Sequence, residues 1–269
     1  MTTLQLVWLA IIQGLTEFLP VSSSGHLILF SAFTDFPDQG IGVDIALHIG
    51  SLAAVVLYFY KTFGQMIYGV FKRGLLPDFG DSGNKLAYLI AIASIPALLI
   101  GFLLRNYGMN WARTPALIGW TILLYGLLLW YADKKGKTDR KITDLQIKDA
   151  IFIGLAQCLA LVPGTSRSGI TITMARFLGI NRSDAAKFSM LLSVPTILAA
   201  GSLEGYRLFK QGNTAEILLA SDAALFSFFA SFAVIFVMLK WLKKSTYMPF
   251  VVYRVVLGSA LILYSYHLF

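Results

Sequence analysis

Val162-Pro163-Gly164-Thr165-Ser166-Arg167-Ser168-Gly169-Ile170-Thr171 is a polar, helix-breaking run that carries a guanidinium. Apolar sequence frames it: Ala150 to Leu161 upstream, interrupted only by Gln157, and Ile170 to Ala175 downstream. Loops of water-soluble proteins are not framed this way. In a bilayer, non-helical backbone is tolerated only where protein buries it or where it lines a wet cavity. An arginine at that depth costs about 2.5–3.5 kcal/mol on insertion scales, so it marks a functional site by default.

A second stretch has the same build. Phe18-Leu19-Pro20-Val21-Ser22-Ser23-Ser24-Gly25-His26 also reads apolar, proline, hydroxyl cluster, glycine, apolar. Aligning Pro20 with Pro163 sets Ser22-Ser23 against Thr165-Ser166, and an amide precedes each proline, Gln13 and Gln157. Two copies of one unusual element predict an internally duplicated membrane protein with one site between the copies.

Composition agrees. Of 269 residues, 57% are hydrophobic and 13% charged, against about 25% charged in a soluble domain, and mean hydropathy is +0.71. The chain is therefore expected to be all-α and polytopic. Its single cysteine, Cys158, excludes an internal disulfide and a thiolate metal cluster. The N-terminus shows no charged region and cleavage site of a removable signal. The net charge of +8 reads as basic cytoplasmic loops rather than a nucleic-acid surface.

Apolar windows of about 18–20 residues predict six spans near 42–60, 86–104, 115–132, 186–203, 218–239 and 250–268. Segments 3–32 and 148–178 are apolar but broken in the middle. Each half is too short to cross, so both are expected to be re-entrant helical hairpins. The expected domain is single, with inverted repeats about 1–132 and 148–269 joined by a basic cytoplasmic linker, 133–147. Pro96 and Pro195 fall inside predicted spans, whereas Pro37 and Pro77 fall in loops. With the first hairpin and both termini outside, loops 61–85, 133–148, 176–187 and 240–247 lie inside and hold sixteen Lys and Arg. The outer loops hold four: Arg105, Arg113, Arg207 and Lys210. That is a strong positive-inside bias. It makes the second hairpin enter from the cytoplasm, opposite to the first.

Opposed hairpins bring half-helix N-termini together, a ready site for an anion. Ser22, Ser23, Ser24, Thr165, Ser166, Ser168 and Thr171 add hydroxyls, and Arg167 adds a fork that grips phosphate with two bonds. His26, just past the serine cluster, is the expected base for Ser23. Glu17 lies one helical turn after Gln13. It could hold Mg²⁺ or Ca²⁺ against phosphate oxygens with Gln13 nearby, orient His26, or pair with Arg167. Arg254, in the last span, serves a second phosphate or ties helices. His48 follows Asp44 by one turn and is expected to form a structural pair with it. His267 is expected at the interface.

These residues resemble a known family. Gln13-Gly14-Leu15-Thr16-Glu17, the run Phe18 to His26, Pro163 to Thr171 and Tyr253-Arg254-Val255-Val256-Leu257-Gly258 together resemble the undecaprenyl-diphosphate phosphatases linked to bacitracin resistance. The resemblance covers essentially the whole chain. It implies a bacterial inner-membrane enzyme whose site faces the periplasm and whose activity a divalent cation stimulates. It also implies removal of the terminal phosphate of undecaprenyl diphosphate, returning a lipid carrier to peptidoglycan synthesis. By motif position, Glu17 falls on the acidic motif, and Ser23 and His26 on the Ser/His pair. Ser166, Arg167, Ser168 and Thr171 fall on the phosphate loop, and Arg254 on the C-terminal arginine. Gln13 stands where some members carry a second glutamate.

The leading expectation is phosphoryl transfer to water on a membrane-embedded polyprenyl diphosphate, with Ser23 either as the nucleophile or as a donor while water attacks directly. Acid-phosphatase-type lipid phosphatases need a further histidine shortly after their arginine, and Ser168 to Thr173 contains none. The rival from another class is a transporter or flippase for a phosphorylated lipid or anionic solute, since broken helices in inverted halves also suit transport. The partners expected are the polyprenyl diphosphate, membrane lipids and, in a homodimer, a second copy of the chain.

Overall fold

A computed structural model describes the chain apart from Met1, Asp35, Pro37, Asp38, Arg73, residues 105–111, Arg113, and residues 212–213 and 267–269. The expectations for Pro37, Arg73, Arg105, Arg113 and His267, and for the side chain of Arg207, lie outside the described residues. Eleven α-helices run through the rest: α1 Thr3–Thr16, α2 Ser23–Phe33, α3 Gly40–Tyr58, α4 Tyr60–Lys72, α5 Ser82–Leu104 and α6 Pro115–Lys135. They continue with α7 Ile147–Cys158, α8 Arg167–Phe177, α9 Arg182–Gln211, α10 Thr214–Leu242 and α11 Met248–Ser265. Among the described residues the only β pairing is an isolated bridge between Arg140 and Ile180.

The protein is an all-α, multi-pass membrane protein. Among the described residues α5, α6, α10 and α11 are each long and apolar enough to cross a bilayer. Segment 186–203 lies within α9, one 30-residue helix with Pro195 inside it, and Pro96 likewise lies inside α5. The expected loop 61–85 is different. Its first half is α4, bent by 78° from α3. Met66 and Gly69 of α4 are buried, while Ile67, Tyr68 and Phe71 are exposed. Lys61 and Lys72 lie over the rings of Tyr60 and Tyr68. Apolar side chains flanked by lysines on a helix at this bend suit the membrane surface.

The basic linker is solvated along most of its length, with Lys134, Lys135, Lys137 and Lys141 exposed, but it is also anchored to the helices beside it. Arg176, expected among loop cations, is fully buried. Its Nε donates to Asp133 Oδ1 at 3.0 Å, and Arg182 Nε donates to the same oxygen at 2.7 Å. Arg140 pairs with Asp149 at 2.6 Å. Guanidinium forks thus bind the linker to the ends of α8 and α9, because buried carbonyls and carboxylates there need donors.

Both broken segments are short helical pairs, α1 with α2 and α7 with α8, and each pair is in contact. None of the four exceeds 14 residues, short of the roughly 20 needed to span. Their register differs from the proline alignment by one residue. Ser22 matches Ser166, not Thr165, and both are helix N-caps. The same offset pairs Gln13 with Gln157 and Gly25 with Gly169. A capping hydroxyl fixes where a helix starts, whereas a proline in a turn does not. Packing follows the same exchange: α1 lies on α10 as α7 lies on α5, and α3 contacts α10 as α9 contacts α5.

Candidate active site

Each hairpin turn ends on a serine in the left-handed backbone region, Ser22 at φ 77° and Ser166 at φ 73°. Such a conformation is uncommon outside glycine and is held only where the surroundings fix it. Each serine Oγ accepts a hydrogen bond from the amide three residues on, Gly25 at 3.3 Å and Gly169 at 3.0 Å. The next residue opens the helix, Ser23 in α2 and Arg167 in α8. Two helix N-termini, with amides lacking intrahelical acceptors, therefore meet at one place.

They meet at a cavity of about 340 Å³. Glu17, Ser22, Ser23, Ser24, Ser166, Arg167 and His48 line its polar side, and residues of α3, α9 and the second turn line the rest. Glu17 is its hub. The side chain is 5% exposed. Its Oε2 accepts from Ser23 Oγ at 2.6 Å and from Gln13 Nε2 at 3.0 Å, and lies 3.3 Å from His48 Nε2. Its Oε1 accepts from Arg167 at 2.9 Å. Arg167 also donates to the Ser189 carbonyl at 3.1 Å. A buried carboxylate without such partners would cost several kcal/mol, so Arg167 and Glu17 hold each other in place.

The family model described as bacitracin resistance protein BacA matches residues 6–260. The chain belongs to the BacA family. It is similar to a protein named undecaprenyl-diphosphatase from Jannaschia sp. (strain CCS1), 43% identical over 99% of this chain and all of that one. A protein of the same name from Dinoroseobacter shibae is 45% identical over 99% of this chain and all of that one. One from Chromohalobacter salexigens is 45% identical over 98% and 99% of the two chains.

Five residues expected in the site of this BacA-family chain do not line the cavity: His26, Arg254, Thr165, Ser168 and Thr171. His26 does not face Ser23. Its Nδ1 is 2.7 Å from the Ser22 carbonyl and its Nε2 is 2.6 Å from the Tyr253 hydroxyl, on which the ring stacks. A carbonyl only accepts, so Nδ1 carries the hydrogen and Nε2 receives the phenol's. Both nitrogens are thus engaged, and His26 does not line the cavity. Arg254 is 0% exposed and donates to the carbonyls of Ile122, Pro20, Thr121, Gly164 and Thr165 at 2.9–3.3 Å. It ties both hairpin turns to α6 and does not line the cavity. Thr165 is also fully buried, its hydroxyl without a partner.

Ser168 and Thr171 support the turns. Ser168 Oγ donates to the Leu19 carbonyl of the other turn at 2.9 Å, and Thr171 Oγ1 is 2.7 Å from Ser189 Oγ. Ser24 is exposed at the cavity wall, 3.5 Å from Ser22 Oγ. The imidazole that does line the cavity is His48. Its Nδ1 is 2.7 Å from the Asp44 backbone carbonyl, not the carboxylate, and its Nε2 faces Glu17. The carbonyl only accepts, so Nδ1 carries a hydrogen, and Nε2 is left facing the carboxylate. One helical turn between Asp44 and His48 was visible, but nothing local showed that α3 brings His48 to α1.

The protein groups that could be offered to a divalent cation here are Glu17 and the buried, unpartnered Gln13 Oε1, with phosphate oxygens left to complete its shell. Among the described residues no three His, Cys, Asp or Glu side chains group together. Among the described residues Glu17 is the only carboxylate lining the cavity, and both its oxygens already accept hydrogen bonds. The Gln13 amide turns its nitrogen to Glu17, the orientation that a carboxylate demands.

Proposed function

We propose that this protein cleaves the terminal phosphoanhydride of undecaprenyl diphosphate. The products are inorganic phosphate and undecaprenyl phosphate, the lipid carrier of peptidoglycan synthesis, and bacitracin resistance follows from that recycling. The observation that carries the reading is the 2.6 Å hydrogen bond from Ser23 Oγ to Glu17 Oε2, in a cavity that also holds Arg167 and two helix N-termini. A hydroxyl bonded to a carboxylate beside anion-binding groups is the arrangement of an activated nucleophile.

In the proposed reaction Ser23 Oγ attacks the terminal phosphorus while Glu17 takes its proton. The bond from that phosphorus to the bridging oxygen breaks, and the lipid phosphate leaves with the proton from Glu17. A water molecule then loses a proton to Glu17 and attacks the phosphoserine. The Ser23 oxygen leaves, recovers that proton, and inorganic phosphate is released. Arg167, Ser24, Ser166 and the first-turn amides of α2 and α8 face the equatorial oxygens, where negative charge spreads in the transition state. His48 faces Glu17 and holds its carboxylate toward Ser23. No step draws on a metal ion.

The Lys and Arg bias supports an inner-membrane orientation with the cavity opening toward the periplasm and both termini on that side. The test is phosphate release from detergent-solubilised protein given undecaprenyl diphosphate, with acid-quench trapping of phosphate on Ser23. Release that Ser23→Ala abolishes, with label on Ser23 in the wild type, is the expected result. No release, alongside passage of the same lipid across proteoliposomes, overturns hydrolysis in favour of transport.

A further inference from the structure

We infer that the first prenyl units of the substrate lie in a groove between α5 and α9 that opens from the catalytic cavity at Arg167. The inference rests on the proposed phosphatase reading. The groove is a cavity of about 580 Å³, walled by Ala97, Leu98, Gly101 and Phe102 of α5 and by Leu161 and Ala199. Its lining is apolar apart from Arg167, Thr196 and Gln157. Ala160, Leu161, Arg167 and Thr196 line both cavities, whereas Glu17, Ser23 and His48 line only the catalytic one.

The chemistry of a lipid diphosphate changes abruptly along its length. Two phosphates need donors and a cation, and the next atoms are hydrocarbon that gains roughly 0.8 kcal/mol per buried CH₂. The walls change in the same order. Donors of α2 and α8 surround Ser23, the guanidinium stands at the junction, and small or apolar side chains follow. Phe102, at 58% exposure, lies on the side of α5 that a bilayer covers, so a chain longer than the groove continues into lipid. Ala97, Gly101, Ala160 and Ala199 keep the trough open, since larger side chains there would fill it.

Gly101 gives the test. A Cβ built there stands 3.6 Å from Leu161 Cδ2, an ordinary contact, so Gly101→Ala is accommodated and Gly101→Phe adds its ring beside Leu161. The assay compares kcat/KM for undecaprenyl diphosphate with that for isopentenyl diphosphate, whose five-carbon chain ends near the junction. In Gly101→Phe the long-to-short ratio falls about ten-fold, equivalent to about 1.4 kcal/mol, mostly through a higher KM. In Gly101→Ala it changes little. An unchanged ratio in a folded Gly101→Phe protein overturns the groove. A binding measurement stands apart from turnover: a prenyl diphosphate with a diazirine on its second unit is crosslinked to wild-type protein. Label within residues 97–102 or at Ala199 supports the groove even if no substrate is hydrolysed, a result that would defeat the phosphatase reading alone. Label confined to other helices overturns it.

Discussion

Ser22 and Ser166 share one backbone conformation, φ 77° and 73°, and each side chain caps the amide three residues on. The residues that follow them, Ser23 and Arg167, end on opposite oxygens of the same carboxylate, Glu17. One hairpin thus brings the hydroxyl and the other brings the cation. Neither half of the chain holds the site alone.

Replacing Glu17 with glutamine keeps the shape and removes the base. Phosphate release is expected to fall about 10²–10⁴-fold in kcat, with Ser23→Ala at least as low. Activity of Glu17→Gln within a few-fold of wild type would remove Glu17 from proton transfer.

Arg167→Lys keeps the charge and loses the planar fork that reaches Glu17 and the Ser189 carbonyl together. One lost charge-assisted bond is worth about 1.5–3 kcal/mol, so a roughly ten- to hundred-fold loss of kcat/KM is expected. Arg167→Ala should in addition lower the thermal midpoint, because it leaves Glu17 buried and unpaired. Equal activity of the Lys variant and wild type would contradict the fork geometry.

Arg254→Met leaves five buried carbonyls short of a donor, at about 1–3 kcal/mol each where no water reaches them. The expected outcome is a large fall in thermal midpoint and in yield of folded protein. Arg254→Lys, with three donors, should recover part of it. Where either variant stays folded at low temperature, KM should remain near the wild-type value, since Arg254 does not line the cavity. A many-fold rise in KM with unchanged stability would return Arg254 to phosphate binding.

His48→Leu removes the imidazole facing Glu17 Oε2, and a roughly ten- to hundred-fold loss of kcat is expected. His48→Gln keeps an N–H in reach and should retain more. The pair separates a positioning role from simple packing, which leucine would satisfy better than glutamine. If leucine proves the more active, packing is the answer.

Tyr253→Phe removes the hydroxyl on His26 Nε2 and leaves the Nδ1 bond to the Ser22 carbonyl. A loss within about ten-fold is expected. His26→Asn, which can still donate to that carbonyl, should keep more activity than His26→Ala. Abolition by all three changes would restore the imidazole to the chemistry.

The two broken apolar segments, their serine and arginine tips, and Glu17 one turn after Gln13 were legible in the sequence. They depend on local rules: proline and glycine interrupt helices, hydroxyls cap them, and charge is rare among apolar residues unless it has a task. Four of the six expected spans, those at α5, α6, α10 and α11, could also be placed, since each needs only a run of hydrocarbon side chains. Local rules stop at the partner. The Ser-x-x-His spacing made His26 the natural base, yet α11 supplies Tyr253 and turns the ring away. Arg254 resembled a phosphate ligand until five backbone carbonyls took its donors. His48 looked like the companion of Asp44, and only the approach of α3 to α1 carries it to Glu17.

The sequence by itself determined an all-helical membrane chain and the two polar turns where chemistry had to lie, because hydrophobicity, capping and helix breaking act within a few residues. Only the tertiary structure decided which turn serine faces the acid, which histidine shares its cavity and which arginine is a strut. Those assignments are contacts between residues distant in the chain, chosen by how whole helices pack.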